Sequence, residues 1–280
     1  MALFKRAYLL FLASALALPE TSCIFDDLEP CEDANIGFSI TNNWGTDTSA
    51  NPEGMAYLFF YDSGCEPWRF DFPGKEAGRI SLPEGSYSFI MFNDDTASID
   101  FVSNENEHIF ATTKNVTIGF DPHIGELRSS PDMMWADASI LVKLDPNCLE
   151  YTTSEYAKKI DLIHNADMNM ITNPQQIVAR YTLLINHIEN LSGVACMKGL
   201  LSGMASGINL NTNTHSEKAV SIPFDLSVAA DSAVCSEFLT FGLPGSPASE
   251  PNDILLFFKL SDGNIIKYDF DKTEEIRNAS

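Results

Sequence analysis

The chain has 280 residues, of which 45% are hydrophobic and 11% aromatic, enough apolar surface for packed cores and too much for a disordered chain. Seventeen basic residues stand against 39 acidic ones, a net charge of −22. Such a charge repels phosphate backbones and anionic lipid surfaces, which excludes nucleic acid as a partner.

Residues 1–22 have the order of a secretory signal peptide. Lys5 and Arg6 open it, an apolar run from Ala7 to Leu18 follows, and Thr21 and Ser22 precede Cys23. The run is too short to span a bilayer, which takes about 20 residues. Small residues directly before a cysteine are also where bacterial lipoproteins are cut and acylated. Cys23 is therefore the expected lipid attachment and residues 23–35 the tether, with Ile24, Phe25, Asp26, Asp27, Leu28 and Glu29 after the cysteine. Glu20 departs from that signal, which normally has Leu there; an ordinary cleavage site is the alternative.

Beyond the tether the pattern is mostly β. Met55–Tyr61 is an apolar, aromatic run, and Trp68, Phe70 and Phe72 alternate with Arg69 and Asp71. With a turn-rich loop between them, they predict a hairpin with one buried face, Trp68 reading as core. Short strands are expected at 80–82 and 86–92, the second ending at Asn93, Asp94 and Asp95, whose side chains favour turns. Weaker strands follow near 99–102, 107–111 and 115–119. Residues 121–137 hold Pro, Gly and Ser, and a domain boundary is placed there, with one domain over 36–135 and another over 136–280.

A strand restarts at Ala138–Leu144. Thr152 and Glu155 have capping-box spacing, and Tyr156, Ile160 and Ile163 share a helical face, which predicts a short helical insertion. Residues 173–188 fit a helix or a buried strand equally. The remaining strands are expected at 218–226, 234–241, 253–260 and 265–270, the last two joined as a hairpin by Ser261–Asn264. Ile266, Tyr268 and Phe270 alternate with Lys267 and Asp269, so Tyr268 and Phe270 are core positions if that face is covered. Strands at this spacing with polar turns indicate β-sandwiches.

There are six cysteines, and five remain if Cys23 is acylated. No CxxC pair occurs and no Cys/His spacing matches zinc. Cys196 with Cys235 is the candidate disulfide for an oxidising compartment, with buried free thiols as the alternative. The five histidines are scattered, without metal-ligand spacing. No GxSxG, P-loop or dinucleotide fingerprint is present, and Gly203–Gly207 reads as a closely packed turn. No metal, cofactor or catalytic residue is expected. Asp94 and Asp95 could be a glycosidase pair or calcium ligands, but a strand end is the better reading. Trp44, in a polar loop, is the candidate ligand contact. Asp95-Thr96-Ala97 and Asp231-Ser232-Ala233 have the form of O-glycosylation acceptors, a pattern short enough to recur by chance.

The stretches NPEGMAYLFFY (51–61), RFDFPG (69–74), LPEGSYSFIMFNDDT (82–96) and PDMMWAD (131–137) resemble an uncharacterised family of Bacteroidales surface lipoproteins. LSGMASGI (201–208), EFLTFG (237–242) and LSDGNIIKYDFD (260–271) agree. Cys23 followed by DDLEPC (26–31) looks like the start of fimbrial anchor lipoproteins of the fimbrillin superfamily. The resemblance implies an all-β chain of two tandem transthyretin-like Greek-key sandwiches, and it favours a strand over 176–188. It also implies a non-enzymatic, lipid-anchored protein of the outer membrane, an anchor, tip or accessory subunit. Its partners would be fimbrial subunits or host and bacterial surface ligands. No Arg or Lys lies between the leader and Arg69, so maturation by a trypsin-like cut near the N-terminus is not expected. Related chains tend to continue past the last hairpin into another short strand, which leaves a truncated end or an edge without its partner. The alternative is a glycan-binding surface lipoprotein that assists polysaccharide uptake.

Overall fold

Alternating apolar positions and turn residues make the described residues mostly β. The computed structural model describes residues 35–278 apart from 48, 62–65, 84, 105–107, 121–124, 138–139, 146–148, 153–158, 163–166, 231 and 246–249. The N-terminal strands are β1 (Ile36–Asn42), β2 (Gly54–Tyr61), β3 (Trp68–Pro73), β4 (Arg79–Leu82), β5 (Gly85–Asn93), β6 (Ile99–Asn104) and β7 (His108–Thr113). The middle of the chain adds β8 (Trp135–Asp137), β9 (Ile140–Asp145), β10 (Leu149–Thr152), β11 (Lys159–Leu162), β12 (Asp167–Thr172), β13 (Gln175–Gln176) and β14 (Ala179–Ile185). Then come β15 (Val194–Ala205), β16 (Gly207–Asn209), β17 (Thr214–His215), β18 (Ala219–Asp225), β19 (Ser227–Ala230), β20 (Ala233–Thr240), β21 (Asp253–Leu260) and β22 (Ile265–Asp271). A helix, α1 (Thr273–Asn278), follows the last strand.

Two sheets enclose the first core. One runs β10-β9-β12-β1-β4 and the other β13-β8-β5-β2-β3, with β11 also paired to β5. Between them lie Phe38, Tyr57, Phe59, Tyr87, Phe89 and Met170. The opposite face of β2 and β5 is also covered: Leu58, Phe60, Ile90 and Phe92 pack with Ile109 and Ile208. Those partners belong to a sheet ordered β17-β16-β7-β6. Burial on both faces explains the unbroken apolar runs of β2 and β5, for which one buried face was expected.

The second core lies between β18-β15-β21-β22 and β14-β20-β19. Phe224 and Phe238 stack there at 4.1 Å. Ile222, Leu256 and Phe258 surround them. β15 was not among the expected strands, and Gly203–Gly207, expected as a turn, instead runs through the end of β15 into β16. Each glycine has a packing reason. A Cβ on Gly199 would sit 1.9 Å from the Phe224 ring, and Gly203 takes φ +71 where the register of β15 against β18 shifts.

Strand pairing does not follow the expected boundary at residues 135 and 136. β8 pairs with β5, β12 runs parallel to β1, and β9 pairs with β12, so residues from both sides of that point share sheets. β7 also pairs with β16. Nor is the segment after Gly125 an exposed linker. Arg128 N–H donates to Ser221 O at 3.0 Å, Ser221 N–H donates to Glu126 O at 3.0 Å, and Leu127 is buried with Leu200 and Phe257. The apolar outer face of β15 and β21 needs a cover, and this segment supplies it.

The expected helical insertion is corrected. Lys159–Leu162 is a strand, with Ile160 opposite Tyr87; Tyr156 and Ile163 lie outside the described residues. The free side of β5 offers a hydrogen-bond ladder that a weak local helix signal does not outweigh. Residues 179–185 form a strand, β14, as the family resemblance favoured.

Glu126 ties the covering segment to β18 through ion pairs with Lys218 and Arg128. The bond from Lys218, then that from Arg128, holds its carboxyl below the ordinary range. A lowered carboxyl pKa stabilises the fold at neutral pH, and that contribution is lost as pH falls through the lowered value. Glu126→Gln is therefore expected to lower stability to urea at pH 7 and to converge with wild type in acid. A pH-independent difference would show that the ion pairs are not the cause.

Candidate functional site

The chemical candidates of the sequence are occupied by structural tasks. Asp94 pairs with Arg69. Asp95 accepts from Glu53 N–H and from Asn93 Nδ2, each at 2.6 Å. Both carboxylates thus pin the end of β5, as a strand-end reading requires. Among the described residues no group of three His, Cys, Asp or Glu side chains could hold a metal. His215 is half-buried, and burial pushes its pKa down, partly opposed by a bond to the Leu243 backbone.

Trp44 is partly buried and its polar atom is already bonded. Its indole N–H donates to Lys75 O at 3.0 Å, and its ring packs edge-on against Trp135 at 6.2 Å. Trp135 in turn donates to Asp47 Oδ2 at 3.1 Å. Trp68 reverses its expectation in the other direction: it is 50% exposed at the start of β3. Cys196 on β15 and Cys235 on β20 are free thiols on different sheets, so the structure does not join the expected pair. Cys23 lies outside the described residues. The Thr96 hydroxyl is buried and out of reach of modification, whereas Ser232 is exposed.

The surface that stands out is β22. It ends its sheet, and all seven of its residues are exposed. Its register on β21 sets Ile266 opposite Phe258, Tyr268 opposite Leu256 and Phe270 opposite Ile254. Leu256 and Phe258 face the second core. The same face of β22 therefore points inward, yet Tyr268 is 50% and Phe270 41% exposed. The facing sheet has three strands against four and leaves this face uncovered. Tyr268 and Phe270 stack at 6.4 Å. On the outer face, burial and then the nearby Asp269 and Asp271 push the Asp253 carboxyl up. The condition for Tyr268 and Phe270 to be core, a covered face, is not met, because alternation fixes a strand's faces and not what covers them.

A second feature lies at the far side of the first sandwich. β3 and β4 end their respective sheets. Between them is an open cleft of about 860 Å³, lined by Arg69, Phe70, Phe72, Arg79 and Ile80 among others. Phe70 packs edge-on against Phe59 and Phe72 against Tyr57, and both remain half-exposed. The Arg79 side chain lies across Gly37, where a Cβ would come within 3.1 Å of it.

An all-β sandwich with exposed edge strands is an architecture that by itself names no reaction. By sequence, residues 22–225 match the model of a family described as a domain of unknown function, DUF5119, and the chain belongs to that family. The match stops at the end of β18, before β22. No curated protein matches the sequence. Solved structures share the fold. A candidate adhesin from Bacteroides ovatus aligns over 86% of this chain and 84% of its own, with TM-score 0.64 and 18% identity. A second candidate adhesin from Bacteroides ovatus covers 88% and 79%, with TM-score 0.52 and 9% identity. A candidate polysaccharide-binding protein from Bacteroides thetaiotaomicron covers 85% and 80%, with the same TM-score and identity. Identities this low establish a common architecture and nothing finer.

The exposure of β22 sets an energetic expectation. Tyr268→Ser and Phe270→Ser should each change stability by less than about 1 kcal/mol, as surface substitutions do. Leu256→Ala, one strand inward, should cost about 2–5 kcal/mol. Urea unfolding of the three variants checks this; comparable losses at all three positions would mean that β22 is covered in solution.

Proposed function

We propose that this is a non-enzymatic surface protein of fimbrial type, an anchor, tip or accessory subunit. It acts by protein–protein contact or adhesion at a sheet edge and is held at the outer membrane by lipid on Cys23. The observation that carries this reading is the inward face of β22, with Ile266, Tyr268 and Phe270 uncovered. An edge strand presents a row of unpaired N–H and C=O groups, which recruit a further strand. Main-chain bonds then supply affinity, and alternating side chains supply register. The sequence resemblance to fimbrial anchor lipoproteins and the fold shared with candidate adhesins support the same reading.

A photo-reactive residue at position 268, introduced in the native organism, should cross-link to another envelope protein. Absence of any adduct would overturn the reading. So would reproducible hydrolysis of a glycan or peptide by the purified protein, lost on Asp94→Asn. The anchor has its own test. Mass spectrometry of the mature protein should find an acylated Cys23 at its N-terminus, and Cys23→Ser should release the protein or leave the leader uncut. Two or three acyl chains anchor firmly, each buried CH₂ contributing about 0.8 kcal/mol. An unmodified Cys23 in wild-type protein would remove the anchor from the proposal.

One observation favours a second reading, a glycan-binding surface protein. Trp68 is half-exposed on β3, and an exposed indole can stack on a sugar ring. Retardation in polysaccharide-containing gels that Trp68→Ala abolishes would support it.

A further inference from the structure

We propose that the cleft between β3 and β4 binds an acidic polysaccharide, with Arg79 holding a uronate carboxylate while the aromatic row of β3 stacks on the sugar rings. This rests on the second reading, that of a glycan-binding surface, and names the class of glycan and the residue that selects it.

The apolar half of the site is a row. Trp68, Phe70 and Phe72 alternate along β3 and so share one face of it, about 7 Å apart from one to the next. Phe70 and Phe72 line the cleft and stay half-exposed. Trp68, 50% exposed, stands one step further along the same face. A pyranose ring has an apolar face of C–H groups, and an aromatic ring that meets water is a surface suited to cover it. A row of rings along an edge strand fits a polymer lying beside the strand better than a single sugar. The cleft volume of about 860 Å³ is in the range of ligand sites.

The polar half is a cation without a partner. Two arginines and one carboxylate, Asp71, line the cleft. Arg69 is committed to Asp71 and Asp94. Arg79 has no ion pair among the described residues, although the chain has 39 acidic residues and only 17 basic ones. Its guanidinium lies over Gly37 of β1, where a Cβ would come within 3.1 Å of it, so bare backbone seats it at the cleft wall. A guanidinium is a planar fork of donors that meets a carboxylate in two parallel bonds. The uncompensated charge among the lining residues is therefore positive, and a carboxylate answers it. Uronic acids combine the two demands, an apolar ring face and a carboxylate on the same ring. The net charge of −22 repels an acidic polymer at long range, but at physiological salt it is screened beyond about 8 Å, so charges in contact decide.

The test measures binding of the full mature chain to immobilised pectate, alginate and hyaluronate, each beside the same polymer with its carboxyls reduced to alcohols. At least one acidic polymer should bind about tenfold more tightly than its reduced form, the size of effect that hydrogen bonds to a charged group supply, and added salt should narrow the gap. Arg79→Gln should erase the gap and leave binding of the reduced polymer intact, which a misfolded variant could not do. Trp68→Ala should weaken both forms. Equal binding of the acidic and reduced polymers, or a gap that survives Arg79→Gln, would overturn the proposal while the glycan reading stands. Binding to none of the polymers would overturn both. Sedimentation velocity on the same samples checks the other occupant of the cleft. Oligomers that Arg79→Gln disperses and the polymer does not would place a second copy there and overturn the proposal.

Discussion

Burial of β2 and β5 on both faces is the constraint from which the rest of the architecture follows. Tyr57, Phe59, Tyr87 and Phe89 fill the first core on one side, and Leu58, Phe60, Ile90 and Phe92 fill a second layer on the other. Strands so apolar on both faces need two covering sheets. The first comes from β1, β4, β9, β10 and β12 and the second from β6, β7, β16 and β17. Recruiting those covers draws residues from distant parts of the chain into shared sheets. A boundary drawn from local composition near residue 135 therefore cuts across the pairing.

The same logic applies in the C-terminal half, with one exception. β15 and β21 have a core face filled by Ile222, Phe224 and Phe258 and an outer face covered by Leu127, Val116, Ile118 and Phe120. β22 has neither cover. A folded chain rarely leaves contiguous aromatic surface in water without a use for it. On the proposed reading, Tyr268 and Phe270 on a sheet edge are a place for another strand, whereas the half-buried Trp44 and the ion-paired Asp94 already have partners within the molecule. Function is thus read from what is left uncovered rather than from a cluster of reactive groups.

Glycine placement shows how far local signals reach. Gly199 and Gly203 make β15 look unlike a strand. Both are required by it, one to admit the Phe224 ring and the other to allow the register shift. The signal was present in the sequence, since a glycine inside a strand often marks close approach or a bulge. It could not be assigned without knowing that β18 lies alongside.

The sequence by itself determined the β-rich character of the chain, the hairpins β2–β3 and β21–β22, the alternation that gives each strand two unlike faces, and a strongly negative charge. Its resemblance to surface lipoproteins also foretold the sandwich architecture and the strand at 179–185. These follow from short-range chemistry: side-chain size, turn residues and period. The tertiary structure alone decided that Ile160 lies in a strand opposite Tyr87 and that β12 returns to pair with β1. It also decided that Cys196 and Cys235 stand on different sheets, that Trp68, Tyr268 and Phe270 meet solvent, and that Trp44 is partly buried. Pairing and cover depend on residues a hundred or more positions away, and a strand's own sequence states which faces it has but not what lies against them.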